Sequence, residues 1–177
     1  MLEGFLQIAF AEEFDFEVAR AYVANKIQNY TFYVTAVYII AIFSIRAAMT
    51  NYKSFELKVP MALWNGYLAV FSVCGFYVTS ERMISEIRQK GIIGSYAQPN
   101  KFFYGRSGYW AFMLMVSKTI ELGDTFFLVF RKKPLIFLHW YHHVLTFNYA
   151  IWAYTEGQPF NMYIAWLNYG VHAVMYG

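Results

Sequence analysis

The chain has four histidines, and three of them, His139, His142 and His143, fall within five residues as His-x-x-His-His. On a helix this spacing sets all three imidazoles within about a 100° arc, so they converge on one site. The fourth, His172, shares a helical stripe with Asn168 four residues earlier and Met175 three later. A second cluster lies upstream: Lys118, Glu121 and Asp124, followed by Thr125. Relative to Lys118, Glu121 lies at about 60°, Asp124 at about 120° and Thr125 within about 20°, so the four share one broad helical face. Imidazoles of this kind either bind a transition metal or act without one, as nucleophile or general base near neutral pH. The carboxylates and lysine either pin one helix to another as an ion-pair network or add a hydrogen-bonding shell to the histidines.

The segments that carry these residues are apolar. Hydrophobic residues make up 59% of the 177, aromatics 22% and charged residues only 14%, far from the roughly 45–50% and 25% of a soluble domain. Ionisable side chains inside such segments are costly and usually face a cavity with a function. Spanning a bilayer takes about 20 apolar helical residues, and five stretches meet that need: 30–49, 60–79, 108–130, 135–154 and 160–177. The expected fold is an all-α polytopic membrane bundle. It forms one membrane domain over 30–177, preceded by an acidic, non-cytosolic segment over 1–29. The carboxylate cluster belongs to the third helix, the histidine box to the fourth and His172 to the fifth.

Orientation follows from Lys and Arg in short loops. Lys53 and Lys58 follow the first helix and the triplet Arg131, Lys132, Lys133 follows the third, which puts those loops in the cytosol. Residues 80–107 read as a loop on the other side, although Arg82, Arg88, Lys90, Lys101 and Arg106 run against the rule there. The Asn29 sequon abuts the first helix and is expected to be unused. Cys74 stands alone in an apolar stretch, which excludes an internal disulfide and predicts a packed thiol. A net charge of +3 without a basic stripe gives no nucleic-acid surface. The acidic start lacks the basic n-region of a signal peptide.

Three boxes, KTIELGDT (118–125), LIFLHWYHH (135–143) and NYGVHAVMY (168–176), together with LWNGYLAVFSVCGF (63–76), resemble the signatures of the ELO family of very-long-chain fatty-acid elongases in order and separation. HWYHH after Leu138 is most similar to the branch acting on saturated and monounsaturated chains. The resemblance implies a seven-helix fold of the endoplasmic-reticulum membrane with six helices around an acyl tunnel. It also implies condensation of long-chain acyl-CoA with malonyl-CoA to 3-oxoacyl-CoA, CoA and carbon dioxide, with no metal and no cofactor. In that reading His142 is the acyl-accepting nucleophile and His172 faces it. His139 and His143 orient and polarise it, and Lys118, Glu121, Asp124 and Asn168 form the supporting shell. Arg131, Lys132 and Lys133 are candidates for the CoA phosphates or, equally, a topology anchor.

Family members continue past the third box with two more helices, so a chain ending at Gly177 is expected to provide five of the seven and an incomplete tunnel wall. Two other readings stand beside this one. An iron-dependent membrane desaturase or hydroxylase would need more ligands than four histidines supply. A non-catalytic fragment would associate with complete elongases or with other enzymes of the cycle.

Overall fold

A computed structural model describes residues 1–98 and 101–177, and every regular element among the described residues is helical. The order is α1 (Leu2–Ala9), α2 (Phe16–Tyr22), α3 (Thr31–Ala48), α4 (Lys58–Ala97), α5 (Gly105–Glu121), α6 (Gly123–Phe130), α7 (Phe137–Glu156) and α8 (Asn161–Tyr176). A five-residue π turn, Val23–Ile27, and a short 3-10 turn link α2 to α3 almost without a break. Two stretches, Phe16–Asn51 and Lys58–Ala97, are long and apolar enough to cross a bilayer, and only 17% and 22% of their most apolar windows are buried. Core helices of a water-soluble protein would bury most of such a surface. Here Phe32, Tyr33, Val37, Leu63, Val70 and Tyr77 all point outward, as side chains solvated by lipid do.

Local chemistry sets the boundaries. The Asp15 carboxylate caps α2 by accepting from the backbone N–H of Glu17 (2.9 Å) and Val18 (3.2 Å). Pro134 precedes α7, which ends at Gly157 in the left-handed region (φ 62°), where a glycine has no Cβ to clash. The longest interface runs between α4 and α8. A Cβ on Gly75 would overlap the Tyr169 ring, so the glycine lets that ring lie flat against α4 while its hydroxyl donates to the Trp110 carbonyl (2.8 Å). Trp166 donates to Ser80 Oγ across the same interface (2.6 Å). α5 packs on α7, and α3 on α6 and α7. α7 and α8 follow one another through a short turn yet do not pack along their length.

The expected loop over 80–107 is a correction. Most of it is the second half of α4, which reaches Ala97 with a break at Gly91 (φ 71°), and α5 starts at Gly105. Residues 99 and 100 of that stretch lie outside the described residues. Buried Glu86 explains the misreading: it pairs with Arg82 (2.9 Å) and Lys90 (2.8 Å) and accepts from the Lys101 N–H (3.1 Å). Cations that read as loop residues are thereby folded onto one helix face. Cys74 is a second correction, because it is exposed rather than packed. Leu68, Ser72, Gly75 and Thr79 take the inward stripe of α4, and one residue of rotation turns Cys74 away from it. The 1–29 segment also contributes more than charge: Phe16, Ala19 and Val23 are fully packed, with Phe16 stacked on Phe103 at 5.0 Å and edge-on to Tyr154 at 5.5 Å.

Candidate active site

The third expected helix is interrupted at Leu122, between α5 and α6, and the cluster is distributed around that joint. Before it, Lys118 and Glu121 are only 4% and 3% exposed. The Lys118 ammonium donates to both Glu121 carboxylate oxygens (2.8 Å each) and to Asn168 Oδ1 of α8 (2.7 Å). Ser117 Oγ gives Glu121 a further bond at 2.9 Å. A buried charge pair is tolerated only with such added partners. The chain achieves it by placing lysine and glutamate one turn apart on α5 and supplying the third partner from α8. His172 Nδ1 lies 3.5 Å from Glu121 Oε1, joining the histidine of α8 to the same carboxylate.

After the joint, Asp124 is held by two aromatic donors from two further helices. Trp64 Nε1 of α4 donates to Oδ1 at 2.6 Å, and the Tyr176 hydroxyl of α8 donates to Oδ2. A Cβ at position 123 would meet the Trp64 ring at 2.8 Å, so Gly123 makes room for the indole that reaches its neighbour. Thr125 departs from the expected shared face: it bonds Tyr38 of α3 at 2.6 Å, away from the histidines. The interruption at Leu122 falls between Glu121 and Thr125, so one uninterrupted wheel does not describe the four residues.

On α7, His139 and His143 have ring centroids 4.6 Å apart, and His142 and His143 are 5.8 Å apart. His143 is buried, His139 half-buried and His142 exposed. The three histidines of α7 meet His172 of α8 across a cavity of about 800 Å³ lined by His139, His142, His143, His172, Glu121, Asp124 and Asn168. It lies between the splayed α7 and α8 at the end of the bundle that bears Arg131. His139 Nε2 is buried and has no hydrogen-bond partner among the described residues. Beyond Lys118 and Asn168 lies a narrow chamber of about 90 Å³, walled by Phe103, Ala111, Met115, Ala150 and Tyr154. It shares Asn168 and Ile164 with the larger cavity.

The basic triplet divides. Arg131 rests on Met61, a cavity-lining residue, at 2.9 Å. Lys132, with φ 54°, donates instead to the Tyr52 carbonyl at 2.7 Å and ties the α3–α4 connection to the end of α6. Lys133 is exposed. Trp64 and Tyr176 are site residues to which reading the sequence assigned no role. The available signal was physical: an indole N–H or phenol in an apolar helix requires a partner. Among the described residues no three histidine, cysteine or carboxylate side chains are grouped as one metal ion would require.

Residues 24–177 match the ELO family, described as GNS1/SUR4. The chain is 42% identical over 146 residues to "Long chain fatty acid elongase 1" of Caenorhabditis elegans, which covers 82% of this chain and 51% of that protein. It is 39% identical over 153 residues to "Very long chain fatty acid elongase 6" of Drosophila melanogaster, covering 85% and 48%. The human protein of that name is 39% identical over 146 residues, covering 82% and 55%. The chain thus spans about half the length of the curated relatives it matches, and no solved structure matches it. With the family matched over nearly its whole length and the boxes gathered on one cavity, the chain belongs to the ELO family of polytopic membrane proteins.

Proposed function

We propose that the chain carries the condensing site of fatty-acid elongation: a long-chain acyl-CoA and malonyl-CoA give a 3-oxoacyl-CoA two carbons longer, with CoA and carbon dioxide released. The observation that carries this reading is the single cavity that gathers all four histidines, both carboxylates and Asn168, with a separate apolar chamber on the other side of Asn168 and Ile164. The names of the relatives, all long-chain or very-long-chain fatty acid elongases, support it.

In this reading His142, the exposed imidazole of the three on α7, attacks the thioester carbonyl. The C–S bond breaks, CoA leaves as its thiol, and an acyl-imidazole forms. His139 and His143 beside it set the imidazole's orientation. Loss of carbon dioxide from malonyl-CoA leaves an enolate, whose carbon attacks the acyl-imidazole carbonyl, forming the new C–C bond and freeing His142. A donor fixed before the reaction stabilises the developing oxyanion; His172, oriented by Glu121 and lining the cavity, is placed for this, and Lys118, whose ammonium is fully engaged by Glu121 and Asn168, holds the supporting shell. Asp124, fixed by Trp64 and Tyr176, closes the shell beside His139. The acyl tail lies in the larger cavity, with the narrow chamber walled by Phe103 and Tyr154 taking only its end. Arg131 and Lys133 at the rim meet the CoA phosphates, and Lys132 serves the fold.

In this reading the five expected spans are α3, the first part of α4, α5 with α6, α7 and α8; the Lys and Arg of the short loops favour a cytosolic rim, and the likeness to the family supports the endoplasmic-reticulum membrane. The 1–29 segment then lies on the opposite side. The test uses membranes containing the chain, labelled malonyl-CoA and a series of saturated and monounsaturated acyl-CoAs. Labelled 3-oxoacyl product is expected from the chain and none above background from His142→Ala. Equal product from both would remove His142 from the mechanism, and no product from either would sink the condensing-enzyme reading for this chain.

A further inference from the structure

On the far side of the α5–α7 wall lies a second large cavity, about 530 Å³, that shares no lining residue with the histidine cavity. Its wall includes Phe5 of α1, Tyr22, Val34 of α3, Thr119 of α5 and Phe147 of α7. Its volume falls within the roughly 300–1,000 Å³ of small-molecule sites. Only one of its lining side chains is charged, that of Lys26. Lys26 is exposed and has no ion pair among the described residues. It stands on the π turn Val23–Ile27, where α2 hands over to α3. Such wide turns displace side chains from the regular helical position and recur at functional sites. Just after it in the chain, Tyr30 and Tyr33 lie 6.4 Å apart with their rings tilted, and both are exposed. An exposed aromatic pair at the start of an apolar helix marks the headgroup level of a bilayer. The cation therefore sits at the height of lipid headgroups, and the apolar cavity extends from it toward the hydrocarbon.

We propose that this cavity holds one acyl chain of an anionic phospholipid, with the headgroup on Lys26 and the second chain outside, along the exposed Phe32, Tyr33 and Val37 face of α3. The occupant is assigned from two features. The cavity opens on the surface that lipid solvates, where phospholipid is the abundant ligand, and its one charged side chain is a cation without an ion pair among the described residues, which an anionic headgroup complements. α1 then acts as a cover, laying Leu2 and Phe5 over the chain. Buried Met115 lines both this cavity and the narrow chamber beyond Lys118, so a bound lipid presses on the outer side of the residue that walls the acyl end of the site. The proposal rests on the membrane placement of the family and on no part of the catalytic reading, so either can fail without the other.

Native mass spectrometry of the detergent-purified chain tests it, with phosphatidylglycerol, phosphatidylcholine and palmitate offered separately at equal concentration. One phosphatidylglycerol per chain should be retained in preference to phosphatidylcholine. Lys26→Gln should lower its retention about fivefold and leave phosphatidylcholine unchanged. Thr119→Phe, which fills the cavity from an exposed position, should abolish the adduct, and Lys53→Gln, a cation on another connection, should have no effect. Equal retention of the two phospholipids, or the same result for Lys26→Gln and Lys53→Gln, overturns the proposal. Palmitate retained more strongly than phosphatidylglycerol in a Lys26-dependent way overturns the phospholipid assignment.

Discussion

α8 presents two walls, and they are built on opposite plans. The wall against α4 is closed: Tyr169 lies on Gly75, Phe76 stacks on Trp166 at 5.2 Å, and the indole of Trp166 is bonded to Ser80. The wall that faces α7 is open and carries Asn168, His172 and Tyr176 into the cavity. Because aromatic and glycine surfaces fill one side, polar groups on the other can be held in fixed positions without being packed over. Stability and chemistry are thus divided between two faces of one sixteen-residue helix. Substitutions on the closed wall should cost folding and leave the turnover of each folded molecule unchanged, and substitutions on the open wall should do the reverse.

Glu121 belongs to both plans and should show the largest effect. Glu121→Ala strands the buried Lys118 ammonium with only Asn168 for a partner, and uncompensated charge of this kind costs about 3–5 kcal/mol. Denaturant titration of the solubilised protein should register that loss, together with loss of product. The double variant Lys118→Met, Glu121→Leu should recover most of the stability and none of the activity. If Glu121→Ala alone were as stable as the parent, the pair would not be the tie between α5 and α8.

Gly75→Ala comes next. Its methyl group would overlap the Tyr169 ring, and overpacking of this kind costs about 1–3 kcal/mol. The expected readout is a lower midpoint of unfolding with unchanged product per folded molecule. A change in turnover without a change in midpoint would show that the closed wall also tunes the site.

Much of this architecture could be read from the residues. Four of the five expected spans, 30–49, 108–130, 135–154 and 160–177, coincide with helical segments to within a few residues, because runs of apolar residues bounded by Pro134, Gly157 and clusters of cations leave little choice. The convergence of the three α7 histidines was a matter of helical geometry, and their meeting with His172 followed the similarity of the boxes to the ELO signatures. The long extension of α4 was not legible, since Arg82, Glu86 and Lys90 read as loop residues until their i, i+4 pairing is seen. Cys74 was misplaced because an apolar stretch with lipid on one side has no polar face to show which way it points. The interruption at Leu122, which sends Thr125 to Tyr38 and Asp124 to Trp64, left no trace in the sequence beyond Gly123.

The smallest effect should come from Trp64→Phe, and it discriminates most sharply between the two plans. The phenyl ring keeps most of the packing over Gly123 and its 5.6 Å contact with Phe127, so only the indole N–H bond to Asp124 is lost. Interhelical hydrogen bonds in membrane proteins contribute about 0.6 kcal/mol on average and rarely more than about 1.7, so the unfolding midpoint should hardly move. Asp124 would retain Tyr176 as its one donor and turn more freely beside His139. If Asp124 merely braces the bundle, product formation should follow the small stability change. If its orientation matters to the histidines, product should fall by far more than stability does, and Tyr176→Phe, which removes the other donor, should reproduce that fall. Combining the two variants then separates the roles: a loss larger than the sum of the single effects means that either donor alone can hold the carboxylate in place, whereas simple additivity means that each donor acts on the site independently.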